Sequence, residues 1–240
     1  MTKLVQSVIA KMGQPLIWKM YKWYMARPRW YNYRGIRVRL LPTVFHPGWL
    51  ISTKVLLEFL AKMDLVDKHF IELGAGSGLI ALHAASMGAN VMATDINPHA
   101  IHALEESSLK NNIRLQVIQS DLFENIPIQI FDYIVINPPY FPREPKDYWE
   151  LAFYCGEKFE YFHRLFNQIY PYINPPTSIY MILNEFCAVD TIKGIARQWR
   201  IELGLVHQET SCGEDQYIFR MFKIESNSGE NAKTDNLEDS

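Results

Sequence analysis

The segment FIELGAGSGLIALHAA, residues 70–85, constrains the fold more than any other part of this 240-residue chain. A short apolar run leads through Glu72 into three glycines, Gly74, Gly76 and Gly78, and then into residues spaced as on a helix. Glycines at this spacing let the backbone turn sharply and come close to a ligand, and Ala75 between them shares that position. The following helix offers free N–H groups and the positive end of its dipole to an anion. The segment therefore predicts a strand, a ligand-binding loop and a helix, the opening unit of an α/β fold. It is not the dinucleotide fingerprint, because Leu79 stands where G-x-G-x-x-G needs its third glycine.

The same rhythm of short apolar runs and amphipathic stretches continues downstream. It predicts strands at 69–73, 90–94, 115–119, 133–137 and 178–183, with helices at 78–87, 98–111, 159–169 and 188–200. A final pair, 204–209 and 216–224, reads as an antiparallel hairpin. The expected fold is thus a doubly wound, seven-stranded, mostly parallel α/β sheet closed by a C-terminal hairpin, a Rossmann-like architecture over residues 41–225. Residues 1–40, interrupted by Gly13, Pro15 and Pro28, read as a basic, aromatic helical extension. Residues 226–240 are polar and acidic without periodicity, and read as a disordered tail.

Composition narrows the setting. With 48% hydrophobic and 21% charged residues the chain can build a core, which excludes disorder throughout. Cys155, Cys187 and Cys212 are too few and too far apart for a disulfide framework or a Cys-x-x-Cys metal site, so a reducing, cytoplasmic location is expected and no metal. His46 and His83 have no second ligand at metal spacing, and His83, inside the first helix, reads as a packed or half-exposed side chain. No secretory signal and no continuous apolar helix of about 20 residues is visible. Charge is asymmetric: residues 1–57 hold ten Lys/Arg, nine aromatics and no acid, leaving 14 basic against 26 acidic residues in the remainder. Cations interleaved with Trp18, Trp23, Trp30 and Trp49 suit a phosphate-rich partner or an anionic surface, and equally a lid whose aromatics cover the main domain.

Three further features carry chemistry. Asp95 ends the second strand of the sheet, placed to accept hydrogen bonds from both hydroxyls of a ribose. Asp121 follows the next strand, where a helix cap or turn would also use an aspartate. FDYIVINPPYF empties a buried strand into Asn137-Pro138-Pro139-Tyr140. Two prolines stop a central strand and stiffen the turn at its carboxyl end, the edge where doubly wound sheets bind ligands. The Asn137 amide and the Pro138 carbonyl can accept the hydrogens of a planar nitrogen while the Tyr140 ring stacks on its plane.

Together these elements resemble the class I S-adenosylmethionine-dependent methyltransferases over roughly residues 45–224, with ELGAGSG as glycine motif and NPPY as catalytic motif. The resemblance implies a loop of Glu72, Gly74, Ala75, Gly76 and Gly78 around the methionine part of S-adenosylmethionine. It implies Asp95 and Ile96 at the ribose, Asp121 and Leu122 by the adenine, and Asn137, Pro138, Pro139 and Tyr140 at the reacting nitrogen. NPPY resembles the enzymes that methylate exocyclic amino or amide nitrogens. TVFHPG and AFYCGEKFEYFHRLF, matching at Ala152, Gly156, Phe162 and Arg164, resemble the HemK-type glutamine methyltransferases. Lys158-Phe159 departs from the Asp-Gly common there, and Gly48 from a frequent arginine. Phe45 and Tyr140 are the expected substrate contacts, joined by Arg143, whose place in the loop just after NPPY would let it meet phosphates or an acidic peptide.

The expected activity is methyl transfer to a nitrogen of a macromolecule, either a protein glutamine, as in release factors, or an RNA base. Two other readings stand beside it: a methyltransferase-like binding module without catalysis, and a nicotinamide-dependent oxidoreductase on a similar sheet. The oligomeric state is left open.

Overall fold

The computed structural model describes residues 23, 24, 26–44, 46–49 and 51–225. The expected helix before residue 23, the tail from 226 and Phe45 lie outside the described residues.

The first described elements are an antiparallel hairpin, β1 (Arg29–Tyr33) and β2 (Ile36–Leu40). Arg34 and Gly35, both at positive φ, make the two-residue turn whose twist matches the strands. This corrects the helical reading of residues 1–40 over its last third. RWYNY and IRVRL alternate with period two, and Ile36, Val38 and Leu40 are buried while Arg37 is exposed. Interspersed arginines resemble a helix's polar face until the strand period is counted. The hairpin joins the main core, so the expected boundary after residue 40 falls inside one packed unit.

A short 3₁₀ turn (Pro47–Trp49) leads into α1 (Ile51–Leu60), whose buried face carries Val55, Leu56, Leu57 and Leu60. The alternating core follows as β3 (His69–Leu73), α2 (Leu79–Ser86), β4 (Asn90–Asp95), α3 (Pro98–Asn111), β5 (Gln116–Gln119), β6 (Tyr133–Ile136), α4 (Glu160–Ile169), β7 (Ser178–Asn184) and α5 (Val189–Gln198). The chain closes with β8 (Ile201–Ser211) and β9 (Glu214–Lys223).

Seven strands form one sheet in the order β5-β4-β3-β6-β7-β9-β8. The pairs among β3 to β7 are parallel, and β9 is antiparallel to both β7 and β8. Central strands are apolar throughout because both faces are covered. Phe70, Val135 and Ile182 pack with α1, α2 and β2, while Ile71, Ile136 and Met181 pack with α4 and α5. Sheet order reverses direction between β3 and β6, the switch point at which such sheets open a crevice beyond their carboxyl ends.

α3 also secures the hairpin. Asn97 caps it by accepting from the His99 N–H at 3.0 Å. At its far end, Asn111 Oδ1 accepts the Arg37 N–H at 2.8 Å and Asn111 Nδ2 donates to the Arg37 carbonyl at 2.6 Å. The Arg39 N–H donates to Ser107 Oγ at 2.7 Å. Helix side chains thereby satisfy the open edge of β2, which would otherwise offer unpaired backbone groups to another strand.

Candidate active site

A cavity of about 400 Å³ opens at the carboxyl ends of β3, β4, β5 and β6, within the size range of small-molecule and cofactor sites. Its floor is the loop after β3. Gly74 and Gly76 adopt φ of 70° and 52°, and a Cβ on either would project into open space rather than onto protein atoms. The loop is thus a cradle that side chains at these positions would fill. Gly78 does something else: it does not line the cavity, and a Cβ there would collide with Leu104 of α3. Gly78, at φ 71°, lets α2 start tight against α3.

Two buried carboxyls hold the loop. Glu72 Oε2 accepts the Ala81 N–H of the first turn of α2 at 2.7 Å, and burial pushes its pKa well above the carboxylate range. Asp95 Oδ2 accepts the Gly76 N–H at 2.7 Å and Oδ1 the Asn97 N–H at 2.8 Å. Burial raises the Asp95 pKa, and these backbone donors oppose the rise. A carboxylate has about four lone-pair sites, so Asp95 keeps acceptor capacity toward the cavity it lines. Ile96, Asp121 and Leu122 line the same wall. Asp121 meets the Arg164 guanidinium of α4 at 3.6 Å.

Across the cavity lies Asn137-Pro138-Pro139-Tyr140, all four residues lining it. The Asn137 Nδ2 donates to Ser52 Oγ in the first turn of α1 at 3.4 Å, which leaves Oδ1 as an acceptor. The turn is braced by a neighbouring segment, with the Tyr140 and Phe141 N–H groups both donating to the Phe153 carbonyl at 3.1 and 3.0 Å. Tyr140 is buried, edge-on to Phe141 at 4.8 Å between centroids. Burial lifts its phenol far above the usual range, so it remains protonated and serves as a wall rather than a base.

Most of the residues singled out in the sequence therefore converge on one cavity. Arg143 does not line it: its side chain is exposed, its Nη1 donates to the Tyr154 hydroxyl at 3.3 Å and its guanidinium lies over that ring. Phe159, where similar enzymes carry glycine, adopts φ 60°, so the backbone keeps the left-handed conformation without the glycine. Sequence reasoning passed over Thr53 and Tyr148, and gave no role to Thr43, Val44 and Tyr161 within the segments it quoted, yet all five line the cavity. Their motifs lack a distinctive residue type, and only the wound sheet brings them to its mouth. His46 is buried edge-on to Tyr31 at 4.8 Å, and burial lowers its pKa, in keeping with a packing role. Among the described residues no cluster of His, Cys, Asp and Glu is placed to hold a metal ion.

The sheet order and the antiparallel closing hairpin give this chain a Rossmann-like methyltransferase fold, with four motif-bearing strand ends at one cavity. Residues 35–151 match the family model described as Methyltransferase small domain. A Methanocaldococcus jannaschii protein that bears the name "Putative protein N5-glutamine methyltransferase" is 38% identical over 128 residues, covering 51% of this chain. The chain spans 62% of that relative's length. Two solved structures share the fold. The E. cuniculi Mtq2–Trm112 complex, titled as methylating the eRF1 termination factor, superposes with TM-score 0.58 at 20% identity, covering 75% of this chain and 99% of its own. The T. thermophilus 16S rRNA N2 G1207 methyltransferase, solved with AdoMet and guanosine, gives 0.58 at 20% identity over 82% of this chain and 50% of its own.

Proposed function

We propose that this protein is an S-adenosylmethionine-dependent N-methyltransferase acting on an exocyclic amino or amide nitrogen of a macromolecule, a protein glutamine or an RNA base. The observation that carries the reading is the meeting of two surfaces in one cavity. A glycine cradle with Asp95 at its side faces an Asn137 carboxamide whose Nδ2 is tied back by Ser52.

The residues present fit the cofactor. The loop at Gly74 and Gly76 leaves the space that a methionine moiety needs, Asp95 has acceptors for ribose hydroxyls, and Asp121 with Leu122 stands where the adenine would rest. S-adenosylmethionine, when bound, supplies an electrophilic methyl group on a sulfonium. The chain's own task is to make a delocalised nitrogen nucleophilic. Asn137 Oδ1 and the Pro138 carbonyl would accept its two hydrogens, favouring a pyramidal nitrogen with its lone pair directed at the methyl. Tyr140, packed edge-on against Phe141, would hold the acceptor plane. Positioning and oriented dipoles supply the rate, and the proton that the methylated nitrogen sheds passes to water, so no side-chain base is required.

Leu79 in place of a third glycine weighs against nicotinamide binding, and an Asn137 with an open acceptor weighs against a module that has lost catalysis. Among the described residues no helix is long and apolar enough to cross a membrane, and a cytoplasmic setting belongs to this reading. The glutamine reading draws on the name of the M. jannaschii relative, and the RNA reading on the basic, aromatic N-terminal part of the chain.

The test combines calorimetry against S-adenosylmethionine with transfer of labelled methyl groups into separated RNA and protein fractions. Asn137→Ala is expected to abolish transfer and leave cofactor affinity nearly intact. Loss of both together overturns the assignment of roles, and a folded wild type that binds no S-adenosylmethionine overturns the function.

A further inference from the structure

Outside the cavity, the outer face of the β1–β2 hairpin carries a stacking platform set among cations. Trp30 lies opposite Arg39 in the hairpin register and is 44% exposed. The Arg39 guanidinium carbon lies 5.2 Å, and the Lys110 ammonium of α3 6.0 Å, from the Trp30 ring centroid. Arg37 projects from the same face of β2, exposed, and Arg114 is exposed just beyond α3. Arg39 is paired with Glu106 at 3.1 Å, whereas Arg37, Lys110 and Arg114 have no acidic partner among the described residues. An exposed indole with Arg39 and Lys110 beside its ring, and with Arg37 and Arg114 exposed on the neighbouring strand and helix end, suits a nucleobase stacked on the ring with its phosphates on the surrounding charges.

The platform is joined to the cavity. β2 leads within four residues into Thr43 and Val44, which line the cavity, and Asn97 Nδ2 at the head of α3 donates to the Thr43 carbonyl at 3.0 Å. α3 rises about 1.5 Å per residue, so Lys110 lies roughly 20 Å along the helix from that point. A strand of a few nucleotides bridges such a distance. The charge asymmetry fits this geometry, since every acid of the chain lies beyond residue 57. An acidic catalytic domain repels a polyanion, so the basic hairpin is where one would dock.

We propose that the outer face of β1–β2, with the C-terminal end of α3, binds a single-stranded stretch of RNA whose target base enters the cavity. Trp30 is the stacking platform, and Arg37, Lys110 and Arg114 are the phosphate contacts. The inference rests on the methyltransferase reading for its choice of substrate class, while the surface itself stands apart from the cofactor site.

The experiment is fluorescence anisotropy of the full chain with a labelled 12-nucleotide single-stranded RNA across a salt series, alongside calorimetry with S-adenosylmethionine. The variants are Trp30→Ala, Trp30→Phe and the pair Arg37→Gln with Lys110→Gln, each checked for an unchanged melting transition. Trp30→Ala is expected to weaken RNA binding by about tenfold or more, and Trp30→Phe to restore most of it. The double neutralisation is expected to lower the slope of log affinity against log salt by about 0.7 for each cation removed. Cofactor affinity should stay the same in all of them. RNA affinity indifferent to all three variants overturns the surface, as does transfer of methyl groups to protein alone with RNA bound no tighter than to a neutral control protein. If the wild type binds RNA through these residues yet binds no S-adenosylmethionine, the methyltransferase reading fails and the surface stands.

Discussion

The Asn184 side-chain amide donates one hydrogen to the Tyr140 hydroxyl at 3.0 Å and the other to Glu214 Oε1 at 2.8 Å. Its Oδ1 accepts from the Phe186 N–H at 3.0 Å and the Cys187 thiol at 3.2 Å, so the amide's orientation is dictated from both sides. Glu214 also accepts from Gln216 Nε2 at 2.7 Å. This chain links the closing hairpin to the ring that walls the acceptor site. It is a positioning network, because Asn184 and Glu214 act through Tyr140.

Asn184→Leu keeps the branched heavy-atom skeleton and removes all four hydrogen bonds. It should cost about 1–3 kcal/mol of stability, from the donors and acceptors left buried without partners. More tellingly, kcat should fall by about tenfold or more, with the S-adenosylmethionine dissociation constant within about twofold of wild type. Steady-state kinetics with calorimetry separates the two, and an unchanged kcat would show that the ring needs no anchor.

Ser52 receives the Asn137 Nδ2 at 3.4 Å from 85 residues away. Ser52→Ala frees the carboxamide to rotate, so the rate of transfer should drop, by less than the roughly 10²–10³-fold typical of losing a direct transition-state hydrogen bond. Ser52→Thr, which keeps the hydroxyl, should recover part of it. A Thr variant as slow as the Ala variant contradicts the orienting role.

Gly78→Ala adds a methyl group where Leu104 already sits, at a φ that alanine adopts only with strain. The expected loss is roughly 1–3 kcal/mol from overpacking, read as a lower denaturation midpoint. Cofactor affinity should weaken as well, because the loop and the start of α2 shift together. Gly74→Ala shares the strain of a positive φ but meets open space, so it should cost less stability than Gly78→Ala and weaken cofactor binding.

Glu214 is buried, and burial raises its pKa above the ordinary 4.5, with Gln216 and Asn184 opposing the rise. The folded protein therefore holds a proton that the unfolded chain releases, and this group's contribution to stability is full below that ordinary value. It declines as pH rises from about 4.5 toward the raised folded value. Glu214→Gln keeps an acceptor for Asn184 and cannot ionise, so its stability should gain on wild type as pH rises through that window. Urea midpoints between pH 4 and pH 8 provide the comparison. Some slope should persist in both proteins because Glu72 and Asp95 are also raised by burial, whereas identical slopes would contradict the assignment.

Local pattern alone determined much of this protein. β3 and α3 begin and end where expected, because a charged or polar residue, a glycine loop or the Asn97-Pro98 cap punctuates each end. The glycine cradle, Asp95 and NPPY were legible for the same reason: their chemistry needs unusual residues within a few positions of a strand end. The hairpin β1–β2 and α1 were not legible. Arginines between the apolar residues of β2 blur its period, and α1, a short apolar run, takes its meaning from the sheet it covers. Tertiary structure alone decided which neighbours the motifs would have. Ser52 behind Asn137, Asn184 beneath Tyr140, Leu104 against Gly78 and Lys110 beside Trp30 are pairs separated by 26 to 85 residues. Such contacts arise only when strand order and helix packing fold back on one another, and no local periodicity encodes them. That is why the kind of chemistry could be read along the chain, while the groups that orient it and the surface that would receive its substrate emerged only from the folded molecule.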